Sequence, residues 1–152
     1  MVDAADLSNS NGGEGDDSMR QTAEYLHDVL LLLQSRLDKM RSSRAASLPF
    51  LVAANKLDLF TALPAQLVKS SLESEITKVR DSRSKSLLDS GIGTNESSFE
   101  VEKDTLGGGN DGPFKFAQMS DSLVNVTVEG GNVVGADGPD VEKWWHWIAD
   151  QL

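Results

Sequence analysis

Cysteine is missing altogether from this 152-residue sequence, which excludes a disulfide scaffold, a thiolate zinc site and a cysteine nucleophile. Histidine is scarce: His27 and His146 lie far apart and make no metal-spaced pair. Basic residues are outnumbered, 14 against 24 acidic ones, for a formal net charge of -10. So acidic a chain lacks the clustered Lys and Arg that a phosphate backbone demands, and no direct nucleic-acid partner is expected. No run approaches the roughly 20 apolar residues of a membrane helix. The acidic opening "MVDAADLSNSNGGEGDD" has no basic region of a secretory signal. The default compartment is therefore cytosolic. Also absent is any Gly-x4-Gly-Lys-Ser/Thr, the loop whose amides and lysine hold nucleotide β- and γ-phosphates.

What is present alternates in type. "MVDAADL" reads as the end of a buried strand and the loop after it, and residues 8–17, polar and Gly-rich, as a mobile acidic loop. Ser18 with Gln21 fits a capping box. Met19, Ala23, Leu26, Leu30, Leu33, Leu37 and Met40 recur at helical steps, so a helix with an apolar face is expected over 18–44. Leu48–Ala54 is a continuous apolar run, as in a strand buried on both faces of a parallel sheet. A second helix follows Pro64, with Leu67 or Val68, Leu72, Ile76 and Val79 on its inner face. Residues 89–112 are rich in Gly, Ser, Asn and acidic residues and read as a disordered insertion, with some order expected only near Phe99–Val101. "FKF" at Phe114–Phe116 suits a short strand, and Leu123–Val128 a β-branched strand stopped by Gly130 and Gly131. A last helix is expected from Pro139, with Val141, Trp144, Trp145 and Ile148 inward and Trp147 outside. Strand, helix, strand, helix, strand, helix implies α/β: a parallel sheet flanked by helices, with ligands at the carboxyl ends of the strands.

One such end carries "NKLD". Asp58, ionised, has two acceptor oxygens that match the ring N–H and exocyclic amino group of guanine. Adenine lacks that donor pair and would leave the carboxylate unpaired. Asn55 can both donate and accept, suited to the base's other edge or to bracing a neighbouring loop. Lys56 can lay its stem over the base while its ammonium stays wet, and Leu57 points into the fold. Another strand end falls at Glu129–Asn132. "DTLG" at Asp104–Gly107 has the letters of a magnesium-linked D-x-x-G, but it follows N-K-x-D instead of preceding it and is assigned to chance. The glycosylation sequons at Asn95 and Asn125 would go unused on a cytosolic face.

Around this motif, "VDAADL" resembles the corresponding strand and loop of Arf/Sar-like small GTPases. "RQTAEYLHDVLLLL", "LPFLVAANKLDLFTALPAQLVKSSLESEITKVRDSRS", the insertion, "FKF" and "DVEKWW" resemble the beta subunit of the signal recognition particle receptor. The resemblance covers nearly all of residues 1–152 but corresponds to the C-terminal half or so of a P-loop GTPase-like domain. It implies a GTP-binding subunit, with magnesium, that sits on the cytosolic face of the endoplasmic reticulum membrane through an N-terminal anchor. It implies binding to the receptor's alpha subunit in cotranslational protein targeting. Family roles in guanine binding carry over to Asn55, Lys56 and Asp58, and more weakly to Gly131, which stands where the family has Ser and would offer its backbone N–H to the base oxygen. Phosphate loop, magnesium ligands and anchor are not in this sequence, so it is expected to be a fragment unable to bind GTP tightly alone. The alternatives are another Arf/Sar-like GTPase of vesicle traffic, or a nucleotide-free acidic helical interaction module.

Overall fold

The computed structural model describes residues 1–8, 14–40, 46–89, 105–108 and 112–152. Strand β1 is Val2–Asp3, helix α1 Glu14–Met40, strand β2 Leu48–Asn55, helix α2 Ala65–Asp89, strand β3 Val124–Gly130 and helix α3 Glu142–Ala149. Short 3-10 helices span Asp6–Ser8 and Phe116–Ser122. The three strands form one sheet in the order β1-β2-β3. β1 runs parallel to β2, with Val2 opposite Ala54 and Asp3 opposite Asn55. At the start of β2, Leu48 N–H donates to Leu123 C=O at 2.7 Å, and beyond the end of β3, Gly131 N–H donates to Ala54 C=O at 2.9 Å. Starts meet starts and ends meet ends, so β3 is parallel too.

Two compact units divide the chain. The first comprises Met1–Thr22, Pro49–Leu72 and Val126–Leu152. Its buried apolar residues include Ala4, Leu7, Met19, Val52, Ala54, Val68 and Leu72. The α2 stripe is resolved in favour of Val68, fully buried, while Leu67 is exposed. Pro64 supplies its carbonyl to the Leu67 and Val68 amides and opens α2. A proline can do this without loss, because its own missing N–H would have had no partner there.

The second unit comprises Ala23–Leu48 and Glu73–Asn125. Ala23, Leu26, Leu30, Ile76, Val79, Leu106, Phe114, Phe116, Met119 and Val124 are buried in it. The Phe114 and Phe116 rings meet edge-on, centroids 5.7 Å apart at 86°, the arrangement that the ring quadrupoles favour. Leu123, at φ 61°, ends the 3-10 helix in the left-handed region and turns the chain into β3.

Several expectations need correction. Helix α1 begins at Glu14, so residues 14–17 are helical and Ser18 lies inside the helix, not at its cap. A lone glycine, Gly15, costs only about 1 kcal/mol in a helix whose later turns are held by packing. Residues 9–13 and 41–45, the rest of the expected loop and the expected helix end, lie outside the described residues. "FKF" is not a strand: Phe114 N–H donates to Thr77 Oγ1 at 2.9 Å and Phe116 N–H to Glu73 Oε1 at 3.1 Å. Side chains of α2 thus serve those amides in place of a neighbouring strand. Within the expected disordered insertion, Leu106 and Gly107 are buried and ordered. Gln34 accepts the Gly107 N–H and donates to the Thr105 carbonyl, each at 3.0 Å. The remainder of that segment, Phe99–Val101 and Asp104 included, lies outside the described residues.

Helix α3 starts three residues after Pro139. Asn132 and Asp140 form an isolated antiparallel bridge (N–H to C=O 2.9 and 2.8 Å) that keeps the chain extended that far. Trp144 then donates its Nε1–H to the Glu129 carbonyl at 3.0 Å, which fixes the rotation of the helix. Trp144 and Trp147 are half-buried, whereas Trp145 (65% exposed) and Ile148 (40%) face outward. The expected inner face is therefore wrong for Trp145, Ile148 and Trp147.

Candidate guanine-nucleotide site

The site is built where β2 and β3 end, within the first unit. β2 carries the chain through the sheet and releases it at Asn55. The Asn55 carbonyl accepts the Ala4 N–H at 3.0 Å, which ties the end of β2 to the turn after β1. Its side-chain Oδ1 accepts the Val133 N–H at 3.1 Å, so Asn55 braces the loop after β3.

Lys56 has φ 65°, in the left-handed region. That conformation costs a residue with a Cβ about 1–3 kcal/mol and persists only where its surroundings enforce it. Three contacts do so. Leu57 N–H donates to Gly131 C=O at 3.2 Å, Leu59 N–H donates to Lys56 C=O at 3.2 Å, and the Lys56 ammonium is paired with Asp3 Oδ2. The Asp3 hydrogen bond and charge raise the Lys56 pKa above its ordinary value. On Asp3, burial pushes the pKa up. The Lys56 ammonium and the amides of Asp6 and Ala5 outweigh it and leave the carboxyl below its usual range. The Lys56 side chain is about half exposed, and its ammonium, expected to stay wet, is in addition held by a carboxylate.

Leu57 turns inward over the end of β3. A Cβ on Gly130 would lie 2.1 Å from Leu57 Cδ1, so a larger residue there would push the Leu57 side chain aside. Gly131 is confined more firmly, since its Cβ would fall 2.4 Å from the Asp140 backbone carbonyl and 3.1 Å from the Trp144 ring. Its N–H, expected to face a base oxygen, donates to Ala54 instead. Gly131 thus works by leaving space, with its amide committed to the sheet.

Asp58 is exposed, and its Oδ2 sits beside the loop after β3, 3.3 Å from where a Cβ on Gly135 would be. Leu59 and Phe60, where the sequence becomes apolar again, are exposed and add nothing to the core. Asn55, Lys56 and Asp58 thus converge at one rim, with the loop 131–135 as its second wall. Among the described residues no cluster of His, Cys, Asp or Glu could hold a metal ion. No magnesium ligand is assigned among the described residues. The contribution that sequence reasoning missed is Asp3. It lies in the quoted "VDAAD", but its partnership with Lys56 depends on the β1–β2 register.

A parallel sheet flanked by helices, with N-K-x-D at the end of a strand, is the architecture of a small-GTPase-like α/β domain. The profile of the family described as "Signal recognition particle receptor beta subunit" matches residues 15–124, and the chain belongs to that family. It is 34% identical over 131 residues to the signal recognition particle receptor subunit beta of Saccharomyces cerevisiae, covering 86% of this chain and 48% of the relative. To the human subunit of the same name it is 29% identical over 133 residues, covering 86% of this chain and 44% of the relative. The chain thus spans about half the length of the curated relatives it matches. Among solved structures it is similar to "Signal recognition particle receptor SRb-GDP-Mg from Chaetomium thermophilum". There the TM-score is 0.79 and the identity 44%, over 100% of this chain and 59% of that one. For "Signal recognition particle receptor SRb-GTP/SRX complex from Chaetomium thermophilum" the TM-score is 0.73 and the identity 43%, over 99% of this chain and 47% of that one.

Proposed function

We propose that this chain supplies the guanine-reading part of a signal recognition particle receptor beta subunit. The observation that carries the reading is the placement of Asp58: exposed at the sheet rim, beside a loop that Asn55 clamps. Its two oxygens accept from the ring N–H and exocyclic amino group of guanine together. An adenine at the same place presents no such pair, and a carboxylate left unpaired against a base is costly. Asn55 sets the height of the opposing loop through Val133, and the Lys56 stem offers an apolar surface to the base plane. When GTP is bound, its γ-phosphate supplies the signal that distinguishes the two nucleotide states. Nothing in this chain's own residues is assigned to the phosphates.

The wider role is supported by family membership and by a similar protein solved as a complex with SRX. The beta subunit binds the receptor's alpha subunit and acts in cotranslational targeting at the cytosolic face of the endoplasmic reticulum. Among the described residues no helix is long and apolar enough to cross a membrane. The family match favours this subunit over another Arf/Sar-like GTPase of vesicle traffic.

The test is a base-swap in a chimera whose preceding half comes from the Chaetomium thermophilum relative. Asp58→Asn should lose preference for GTP and gain preference for XTP, whose 2-oxo group accepts where guanine donates. Unchanged GTP affinity in that variant rejects the base-reading role and leaves the nucleotide-free interaction module standing. The 152-residue chain by itself should bind GTP more weakly than micromolar by titration calorimetry.

A further inference from the structure

We infer that Asp3 is a positioning residue for the base-reading loop, one carboxylate oxygen shaping the turn after β1 and the other holding Lys56 in place. The inference rests on the guanine-reading proposal for its functional meaning, although its geometry stands alone.

The two oxygens of Asp3 do different work. Oδ1 accepts the Ala5 N–H at 3.1 Å and the Asp6 N–H at 3.3 Å, closing the turn that follows β1. Oδ2 is paired with the Lys56 ammonium. The parallel register sets Asp3 directly opposite Asn55, so its side chain is delivered one residue short of Lys56. Ala4 on the same turn donates to the Asn55 carbonyl at 3.0 Å and accepts the Leu63 N–H at 3.0 Å. The turn after β1 is thereby fastened to both sides of the 55–63 segment. Lys56 is one of two non-glycine residues with positive φ among the described residues, the other being the cap residue Leu123. A backbone in that region relaxes unless something holds it. The Asp3–Lys56 pair is the only side-chain tether on this residue among the described ones. Holding the ammonium against β1 directs the lysine stem along the rim where a base would stack. It also keeps the Leu57 and Leu59 amides on their acceptors.

Asp3→Asn separates the two roles, because an amide oxygen still accepts from Ala5 and Asp6 while the charge that pairs with Lys56 is gone. In the nucleotide-free 152-residue chain, this variant should speed amide exchange at Leu57 and Leu59 about fivefold, the scale of a partly exposed ion pair. The Ala5 and Asp6 amides should stay protected. Lys56→Met should give the same acceleration, and Asp3→Asn added to it should do nothing further. Unchanged exchange in Asp3→Asn, or equal acceleration in the Lys56→Met background, overturns the inference. With GDP and ADP titrated into the chain and followed by amide shifts, Asp3→Asn should weaken GDP about fivefold while keeping its advantage over ADP. GDP affinity unchanged beside accelerated exchange would leave Asp3 a loop brace only and overturn the positioning role. Should Asp58→Asn leave the GDP-over-ADP preference intact, the guanine reading fails, and the exchange result still decides whether Asp3 holds Lys56.

Discussion

In the second unit, Gln34 and Glu73 are almost completely buried, and each meets the backbone of a distant segment: Gln34 at Thr105 and Gly107, Glu73 at Phe116. At the strand-end rim of the first unit, Lys56 and Asp58 are exposed, and Asp58 carries acceptors that no ion pair engages among the described residues. The same residue chemistry is put to opposite uses. Buried and satisfied, it replaces the ladder a strand would have given to "FKF" and to the end of the insertion. Exposed and braced from behind, it is available to a ligand. A buried carboxamide or carboxylate is thus a poor guide to function in this fold, and an exposed one held on a tight loop is a better one.

Mutations can break this contrast. The largest effect is expected for Glu73→Ala, which strands the buried Phe116 amide and releases the exposed Lys115 ammonium to solvent. A loss of about 3 kcal/mol in urea unfolding is expected, because a buried donor without a partner carries its full desolvation cost. Gln34→Leu should cost about 2 kcal/mol by the same measurement, since it removes the acceptor of the Gly107 N–H and one donor to the Thr105 carbonyl, which keeps the Gly108 N–H, while keeping the volume. Next comes a pH effect at His27, which is buried. Burial, with the cations of Arg83 and Arg80, holds its pKa below 6.5 against the opposing pull of Asp28. The unfolded chain therefore takes up a proton near pH 6.5 that the folded chain refuses until lower pH. Stability is full above that pH and falls as pH drops through it towards the folded pKa. The urea midpoint should fall between pH 7.5 and pH 5.5, and fall less in His27→Leu. The smallest effect should come from Asp58→Ala, within about 0.5 kcal/mol of the parent, because its exposed carboxylate accepts no hydrogen bond among the described residues. A large loss there would mean that the rim is structural and would erase the contrast.

The sequence made the rim legible for a local reason. An unbroken apolar run followed by Asn-Lys-Leu-Asp needs only one strand and its next three residues, and both lie within Leu48–Asp58. The α2 stripe was readable on the same ground, apart from the choice between Leu67 and Val68. What could not be read was set by partners far along the chain. The Asp3–Lys56 pair requires a parallel register between residues some fifty positions apart. Burial of Leu106 depends on Gln34, and the outward turn of Trp145 depends on a bridge between Asn132 and Asp140. Gly131 was placed correctly at the strand end, but the use of its amide by Ala54 is a property of the assembled sheet.

All three tryptophans of the chain fall within the eight residues of α3. Their surroundings differ: Trp144 is half-buried and hydrogen-bonded to the end of β3, Trp145 is exposed and Trp147 is half-buried. Intrinsic emission is therefore a local optical gauge of the C-terminal helix and the strand end it leans on. Far-ultraviolet dichroism will be dominated by the 27 and 25 residues of α1 and α2. Coincident curves from the two signals would mean that the strand-end rim melts with the rest of the chain, and an earlier emission change would mean that it loosens first.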